Sequence, residues 1–397
     1  MDPNFEKTGE IKLDSSELAR LFQEINISGL WDDWGPESAV QVYDPRVNLE
    51  GILVIDNIVL GPGKGGIKTS PEITPKEIFE LARSMTYKCS LADVDFGGAY
   101  AGIRADPFDI DKAKLVKAFA KKIAPYVPDV YISGPGEGVG KKEIAVFVEE
   151  IGDLRGATGK PVEMGGMPQE TEIRKLGVRV ALEEGVGIAH TFSILNEVSQ
   201  ASIAISGFDS IGLGIARYLE SKGAKIVAIS DRWGTAYKKD GIDVKKVLRH
   251  AGAKSKRSSV RNLGGITPLS RDGIWSTECD IFVLTAGTLG INEANASLVN
   301  AKCVIEAENN SITPVAEQIL FKKGILVLPD ILVNVCDAIA SYAEYKGISP
   351  EETFSLVEKT TREKTKLVTQ HSLEFVLLPR RAACEIAKER ILEAMER

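Results

Sequence analysis

Two glycine-rich turns on either side of one helix, within residues 61–104, constrain this chain more than any other stretch. The first turn places Lys64 between two glycines. The helix predicted over residues 77–87, with Thr74 as its N-cap, delivers Lys88 at its end. Glycines let backbone and ligand approach closely, and two ammonium groups among them suit carboxylates. The segment therefore predicts a carboxylate-binding cleft, and the alternative is two tight turns around a surface helix with solvated lysines.

The composition limits the class of protein. A chain of 397 residues with 44% apolar residues is long enough for two domains, each with a core. The net charge of -7 argues against nucleic acid as the main partner. Five scattered cysteines indicate a reducing, cytoplasmic environment, and three histidines without a Cys-x-x-Cys pair predict no metal site. The charged N-terminus and the lack of a long apolar run predict neither a signal peptide nor a membrane span.

Periodicity predicts the elements of the first part of the chain. Alternating segments at 39–43 and 51–56, joined by a turn, predict a β-hairpin. Helical spacing and short apolar runs predict the other elements, which are helices at 16–25, 112–123, 142–151 and 172–184 and a strand at 130–132.

The second part, from about residue 185, alternates strands with helices. A strand at 202–206, a glycine turn, a helix at 211–222 and a strand at 225–230 form a βαβ unit of the dinucleotide-binding kind. Further strands are predicted at 281–284, 303–306 and 325–328, with a basic connecting loop at 254–261. The predicted fold class is therefore α/β, with two domains and a doubly wound, mostly parallel sheet in the second.

Three motifs in the lysine-bearing segment occur together in one known family. The chain reads GPGKGGIK followed by Pro71, then Met85-Thr86-Tyr87-Lys88, then GGAYAGI. In order and spacing these resemble GPxKGGxR…P, MTxK and GGAKxGI of the Glu/Leu/Phe/Val dehydrogenases, the glutamate dehydrogenase family. The resemblance covers residues 38–345. It implies an N-terminal substrate-binding domain, a Rossmann-like domain and the NAD(P)-dependent oxidative deamination of an amino acid such as glutamate.

The resemblance implies that the substrate-binding groups are present. Lys64 matches the lysine that binds the side-chain carboxylate of glutamate, and Lys88 matches the one that binds the α-carboxylate. Ser341 matches the serine of AGGVxxS that helps to select glutamate, with the alternative that its hydroxyl bonds its own helix. Val335-Cys336-Asp337-Ala338-Ile339 precedes this serine, and the charge of Asp337 is expected to weaken glutamate binding.

The proton-transfer groups of the family are replaced. Its catalytic lysine falls on Tyr100, which is an acid or hydrogen-bond donor at neutral pH rather than a base. Its catalytic aspartate, in a P-D-x-G loop, falls on Gly136. Glu137 is one residue along, and on an extended segment it would point to the other face unless the loop is shifted. Tyr100 and Glu137 are the candidate replacements for the catalytic pair.

The dinucleotide fingerprint is altered as well. Gly207-Phe208-Asp209-Ser210-Ile211-Gly212 follows a strand and opens a helix, but Asp209 stands where the middle glycine admits the pyrophosphate. A carboxylate there repels a diphosphate and suits an N-cap instead. The sequence therefore predicts weak or absent binding of NAD or NADP. Asp231, after the next strand, is the candidate ribose ligand, and Arg232 beside it leaves NAD versus NADP open.

Two further motifs depart in the same part of the chain. The threonine that the family places near the nicotinamide, in a short S/A-T-G run after GGxP, falls on Arg174 or nearby. The family's GAN motif survives as Ala307-Glu308-Asn309, in which Asn309 matches the asparagine. Large charged side chains thus stand where small ones are expected.

These departures favour a glutamate dehydrogenase-like protein with lost or altered catalysis, which binds a dicarboxylate or amino acid or regulates an active relative. The alternatives are an active NAD(P)-dependent amino-acid dehydrogenase that uses Tyr100 and Glu137, and a structural assembly partner with an empty cleft. The resemblance implies a homo-oligomer, a hexamer in the family, or a hetero-oligomer with an active relative. The predicted domains are residues 1–185, 186–340 and 341–397, the last packing back on the first.

Overall fold

The computed structural model describes residues 31–108, 111–191, 197–250, 259–285 and 290–397. The helix predicted at 16–25 and most of the predicted basic loop, 254–258, lie outside the described residues. The described chain forms two β-sheets flanked by helices, so the predicted α/β fold class is confirmed.

The first sheet has six strands in the order β1-β2-β5-β3-β6, with β4 also paired to β5. Its strands are β1 (Ser38–Asp44), β2 (Leu49–Asn57), β3 (Gly63–Lys64), β4 (Ile67–Thr69), β5 (Gly97–Ile103) and β6 (Tyr131–Ile132). The predicted hairpin is confirmed, since β1 and β2 pair antiparallel. Strand β3 pairs in parallel with β5, with Lys64 opposite Gly98. The sheet therefore brings the two glycine-rich segments side by side.

Helix α1 (Pro75–Leu91) lies on this sheet. It begins as predicted, because the Thr74 hydroxyl accepts a hydrogen bond from the Glu77 N–H at 3.2 Å. Gly98 lets the helix approach the strand, since a Cβ at that position would overlap Thr86. Lys64 and Lys88 are only 4% and 5% exposed. The alternative of solvated lysines on a surface helix is therefore wrong.

The second sheet has seven strands in the order β10-β9-β8-β7-β11-β12-β13. Its strands are β7 (Ser202–Ser206), β8 (Lys225–Asp231), β9 (Gly234–Tyr237), β10 (Thr267–Leu269), β11 (Ile281–Leu284), β12 (Cys303–Glu306) and β13 (Leu326–Leu328). The predicted parallel pairing of β7 with β8 is confirmed. Strands β9 and β10 add an antiparallel edge that periodicity missed, because both are short and one contains Pro268.

The helices cover both sheets and connect them. After α1 they are α2 (Lys112–Ile123), α3 (Lys141–Ile151), α4 (Glu170–Thr191), α5 (Ser210–Ser221), α6 (Val244–His250), α7 (Pro314–Lys322), α8 (Asp330–Val333), α9 (Val335–Lys346), α10 (Pro350–Phe375) and α11 (Pro379–Met395). The last of them, α11, packs on α1. The Ser90 hydroxyl donates to the Ala387 carbonyl at 2.7 Å, and Arg390 donates to the Val94 carbonyl at 2.8 Å. The C-terminal helix thus holds the end of α1, where Lys88 is located.

The junction between the two sheets is helical. The division predicted near residue 185 falls inside α4, which spans Glu170–Thr191. Among the described residues, no helix combines the length and apolar character needed to cross a bilayer.

Candidate functional site

A cavity of about 450 Å³ lies between the two sheets. This volume is within the range of about 300–1,000 Å³ that small-molecule sites occupy. The walls include the end of α1, the start of α4, the start of α5 and one face of α9. Eight of the predicted site residues line it together, namely Lys64, Lys88, Tyr100, Asp209, Ser210, Ile211, Asn309 and Ser341. Three others do not line it, namely Glu137, Gly207 and Asp231.

Lys64 is held by backbone carbonyls rather than by a carboxylate. Its Nζ donates to the Ser133 carbonyl at 3.2 Å and to the Gly65 carbonyl at 3.4 Å. Burial of the ammonium group lowers the pKa of Lys64 to about 8. Since a carboxylate beside this group would offset the desolvation, the site is suited to an anionic ligand.

Lys88 links the first part of the chain to the second. Its Nζ donates to Asn309 Oδ1 at 2.7 Å, and the same oxygen accepts from Asn334 Nδ2 at 3.1 Å. The residue that matches the family's asparagine therefore orients Lys88, the lysine predicted to bind a carboxylate. Ser341, on α9, lines the same cavity.

Tyr100 occupies the cavity with a neutral hydroxyl, since burial raises the pKa of this phenol to about 12. A Cβ added to Gly66 would lie 2.9 Å from the Tyr100 hydroxyl oxygen, and one added to Gly136 would lie 3.1 Å from it. The glycine at the catalytic aspartate position thus leaves room for the tyrosine at the catalytic lysine position.

Glu137 is turned away from the cavity. Its carboxylate lies 2.6 Å from Lys68 Nζ, and this lysine also contacts Glu77 at 2.8 Å. The Glu137 side chain is 64% exposed. The segment is not extended, because Gly136 and Val139 exchange backbone hydrogen bonds at 3.1 and 3.0 Å and place Glu137 in a tight turn. The structure does not bring Glu137 together with Lys64, Lys88 and Ser341.

Asp209 caps α5, as the structural interpretation of the fingerprint predicts. Its Oδ1 accepts from the Gly212 N–H at 2.7 Å. Ser210 and Ile211, the first residues of the helix, line the cavity beside it. Gly207 makes the turn after β7 with a φ of 142°, a conformation open mainly to glycine. The carboxylate of Asp209 therefore takes the helix N-terminus at which a pyrophosphate would bind.

The Asp231 carboxylate accepts hydrogen bonds from loops of the chain itself. Its Oδ1 accepts from the N–H groups of Trp233 and Gly234, at 2.8 and 3.0 Å, and from the Ser259 hydroxyl at 3.0 Å. Its Oδ2 accepts from the Val260 N–H at 2.8 Å. The ribose-binding role remains a prediction, and these four hydrogen bonds argue against it.

Several lining residues were not predicted from the sequence. Glu170 and Thr171 face the cavity from the first turn of α4, and Ser84, Met85 and Asn310 complete its walls. For Glu170 and Thr171, the sequence feature that could have indicated a site is the glycine- and proline-rich loop at 155–170, which leads directly into the start of α4. The others carry no local signal, because only the packing of α1 against the second sheet brings them to the cavity.

Family models match nearly the whole described chain. The model of the Glutamate/Leucine/Phenylalanine/Valine dehydrogenases matches residues 165–397, and that of the Glu/Leu/Phe/Val dehydrogenase dimerisation domain matches residues 36–153. Among curated relatives, an NADP-specific glutamate dehydrogenase of Saccharolobus shibatae is 31% identical over 358 residues, covering 86% of this chain and 83% of its own. A glutamate dehydrogenase of Aeropyrum pernix is 33% identical over 362 residues, covering 86% and 84%.

Solved structures agree with this assignment. The hetero-hexameric glutamate dehydrogenase from Thermus thermophilus, in a leucine-bound form, is 25% identical with a TM-score of 0.77, covering 96% of this chain and 97% of that one. The L-tryptophan dehydrogenase from Nostoc punctiforme, at 21% identity, a TM-score of 0.68 and coverage of 94% and 99%, shares the fold. The second sheet is Rossmann-like, as predicted. The matched models, relatives and motifs show that this chain belongs to the Glu/Leu/Phe/Val dehydrogenase family.

Proposed function

We propose that this protein is a glutamate dehydrogenase-like binding protein, which holds a dicarboxylate or amino acid and has lost or altered the ordinary deamination. One observation carries the proposal. Lys64, Lys88 and Ser341 line a single cavity, whereas the catalytic positions hold a neutral tyrosine and a glycine. The cleft therefore keeps groups that bind carboxylates and lacks the familiar groups that move protons.

The dinucleotide of the family does not fit the residues that would hold it. Asp209 places a carboxylate of its own at the helix N-terminus, and Asp231 already accepts four internal hydrogen bonds. The proposed binding function consequently needs no NAD or NADP.

The second candidate is an active NAD(P)-dependent amino-acid dehydrogenase with a non-standard site. It is favoured by the names of the relatives, which are glutamate dehydrogenases. The Tyr100 hydroxyl, which lines the cavity, could serve as a proton donor. Turnover of glutamate by the purified protein separates this candidate from the binding protein.

For assembly, we infer the domain division predicted from the sequence, at residues 1–185, 186–340 and 341–397. A dimerisation-domain model matches the first part, and one structural neighbour is described as hetero-hexameric. We therefore propose assembly with further copies of this chain or with an active relative. The cysteines of the described chain are free thiols, which supports the proposed cytoplasmic location.

Glutamate or 2-oxoglutarate is expected to raise the thermal stability of the protein. Binding to the native state alone contributes about 2.7 kcal/mol at a roughly hundredfold excess over Kd. Lys88→Ala should remove most of this shift, because it deletes one of the two carboxylate-binding ammonium groups. Differential scanning fluorimetry with millimolar dicarboxylate measures the effect.

Lys76→Ala is the matched control, because Lys76 lies on the same helix but is 71% exposed and pairs only loosely with Glu80 at 3.9 Å. The control should keep the full shift. An equal shift in the unmodified protein and in Lys88→Ala would contradict the proposed site.

Ligand binding is expected to take up protons near pH 8. The pKa of Lys64 is about 8 in the folded, ligand-free protein against an ordinary value of 10.5, and a bound carboxylate raises it again. Affinity should therefore fall as the pH rises above about 8. Calorimetry at pH 8 in buffers of different ionisation enthalpy measures the uptake, which should vanish at pH 6.

Lys64 makes the stability of the ligand-free protein change with pH in the direction opposite to the ligand affinity. Between pH 8 and 10.5 the unfolded chain holds the Lys64 proton that the folded chain has lost, so the free energy of unfolding without ligand gains from this group as pH rises. In the calorimetric experiment, a heat of ligand binding at pH 8 that is the same in buffers of different ionisation enthalpy would show that the ligand does not contact Lys64.

A further inference from the structure

Four charged residues stand where the motifs of the family have small or uncharged ones. Arg174 falls at the threonine of the S/A-T-G run, and Asp209 falls at the middle glycine of the dinucleotide fingerprint. Glu308 falls at the alanine of GAN, and Asp337 at the second glycine of AGGVxxS. The four come from separate segments of the chain, so no local pattern relates them.

The fold gathers the four into one cluster, in which Glu308 and Asp337 contact Arg174 and Asp209 lies on the wall of the same cavity. The Arg174 Nη2 donates to the Ala307 carbonyl at 3.0 Å and lies 3.4 Å from a Glu308 carboxylate oxygen. Its Nε lies 3.8 Å from Asp337 Oδ2. Asp337, and more weakly Glu308 and Asp209, raise the pKa of the guanidinium. Three of the four, Arg174, Asp209 and Asp337, also line the cavity.

The charged side chains of the cluster are partly buried, so the free energy of each charge depends on the others. The side chains of Arg174, Glu308 and Asp337 are 28%, 31% and 38% exposed, so the charges are neither fully solvated nor fully buried. Burial raises the pKa of Glu308, and Arg174 opposes that rise. Without the guanidinium, neighbouring carboxylates would repel one another in a half-buried cleft. Arg174, Glu308 and Asp337 therefore depend on one another, whereas Asp209 has a role of its own as the cap of α5.

The cluster has both the position and the charge to exclude a dinucleotide. One guanidinium against three carboxylates leaves an excess of negative charge, which repels a diphosphate. The Arg174 side chain also bridges α4 to the 307–310 loop, next to the Asn309 oxygen that holds Lys88. Arg174 and Asp337 line the same cavity as Asp209, which stands at the helix N-terminus where the fingerprint of the family would bind a pyrophosphate.

We propose that Arg174 and its ion-pair partners Glu308 and Asp337, together with Asp209 on the wall of the same cavity, form an ion-paired plug in place of the dinucleotide, which turns the cleft into a site for the amino acid or dicarboxylate alone. The plug deepens the proposed function and rests on it, because it explains how one half of the family's cleft is closed while the other half stays open.

The test is dinucleotide binding, measured by NADH and NADPH fluorescence and by calorimetry without any assay of turnover. A variant with R174T, D209G, E308A and D337G together opens the plug. It is expected to bind at least one of the two dinucleotides ~10-fold or more tighter than the unmodified chain, because both the obstruction and the like charges are gone. R362T is the matched control, since Arg362 also faces three carboxylates, those of Glu183, Glu184 and Glu358, but does not line the cavity.

Two outcomes overturn the plug. One is micromolar NADH or NADPH binding by the unmodified chain, and the other is an opened variant that still shows the glutamate-induced thermal shift but gains no dinucleotide affinity. Failure of the glutamate shift in the unmodified chain would instead count against the proposed function, so the two ideas fail separately.

A double-mutant cycle is a second test of the plug, and it does not require that the fourfold variant folds. R174A and D337A should each lower the thermal midpoint, and the double variant should lose clearly less than the sum, because the second change removes a charge that the first left unpaired. Additive losses would show that the two residues do not form a coupled plug.

Discussion

The unmodified protein is expected to deaminate glutamate at least ~10³-fold more slowly than a family member with complete motifs, with either NAD or NADP. A positioned general acid or base contributes about 10²–10⁴-fold, and two such groups are replaced here. Tyr100 keeps its proton at neutral pH because burial raises its pKa to about 12, so it is a poor base. Glu137, paired with Lys68, does not line the cavity.

Restoring single residues should recover little activity, since catalytic groups that act as a unit are strongly non-additive. Tyr100→Lys alone supplies a base without an acid. Gly136→Asp alone is obstructed, because its Cβ would overlap the Ile67 carbonyl oxygen and lie 3.1 Å from the Tyr100 hydroxyl. Changing both residues removes the contact with the Tyr100 hydroxyl but not the overlap with the Ile67 carbonyl oxygen, so the loop must shift. Even the pair should remain slow until Asp209→Gly and the rest of the ion-paired plug are also changed.

A steady-state assay of the unmodified chain, the single variants and the combination tests this expectation. Tyr43→Lys serves as control, because it adds a lysine at a tyrosine that is 54% exposed and outside the cavity. Turnover of glutamate at the ~10 s⁻¹ typical of enzymes by the unmodified chain would contradict the expectation. In that case Tyr100 would be a working replacement and the second candidate function would hold.

Arg380→Ala is expected to lower the free energy of unfolding by about 3–5 kcal/mol, the cost of leaving buried charges without their partner. The Arg380 guanidinium, on α11, reaches three carboxylates of the second part of the chain. It donates to Glu306 at 2.5 Å, to Asp330 at 2.6 Å and to Glu317 at 3.1 Å. These three side chains are at most 4% exposed. Burial, reinforced by the charge of Asp330, raises the pKa of Glu306 to about 8 even with the arginine present.

The loss should grow with pH. Without Arg380, the buried carboxylates hold protons more tightly in the folded chain than in the unfolded chain, whose carboxyl groups titrate near pH 4. The folded state then binds more protons, so its stability falls as the pH rises through 5 to 8. Urea unfolding followed by circular dichroism at pH 5.5 and 8 measures both effects.

The neighbouring arginine provides the control. Arg381 is 66% exposed and pairs with Glu385 at 2.8 Å one helical turn away. Arg381→Ala should cost no more than about 1 kcal/mol, as for other exposed ion pairs. Equal losses in the two variants would mean that the carboxylates around Arg380 find other partners.

Much of the fold followed from local patterns. Thr74 and Pro75 predicted the start of α1, and the structure has the cap bond. Alternation predicted the β1–β2 hairpin, and β-branched runs predicted β7 and β8 in parallel. These predictions succeed because helix caps and strand faces depend on residues two to four positions apart. Strands β3, β4, β9 and β10 were not predicted, since two to four residues carry too little periodicity. The prediction of a glycine turn at 97–98 was wrong, because these glycines begin the seven-residue strand β5.

For the site, the sequence by itself determined the family and predicted Lys64 and Lys88 as carboxylate-binding residues, because both stand in motifs whose order and spacing are specific. It also determined that Tyr100, Gly136 and Asp209 depart from those motifs. Only the tertiary structure decided what surrounds these positions. Asp231 accepts hydrogen bonds from groups up to 29 positions away, and Arg174 meets its partners 133 and 134 positions away. Lys88 meets Asn309 across 221 positions. Such long-range polar contacts leave no local trace in the sequence, because their energy depends on distances and burial that exist only once both sheets have packed together.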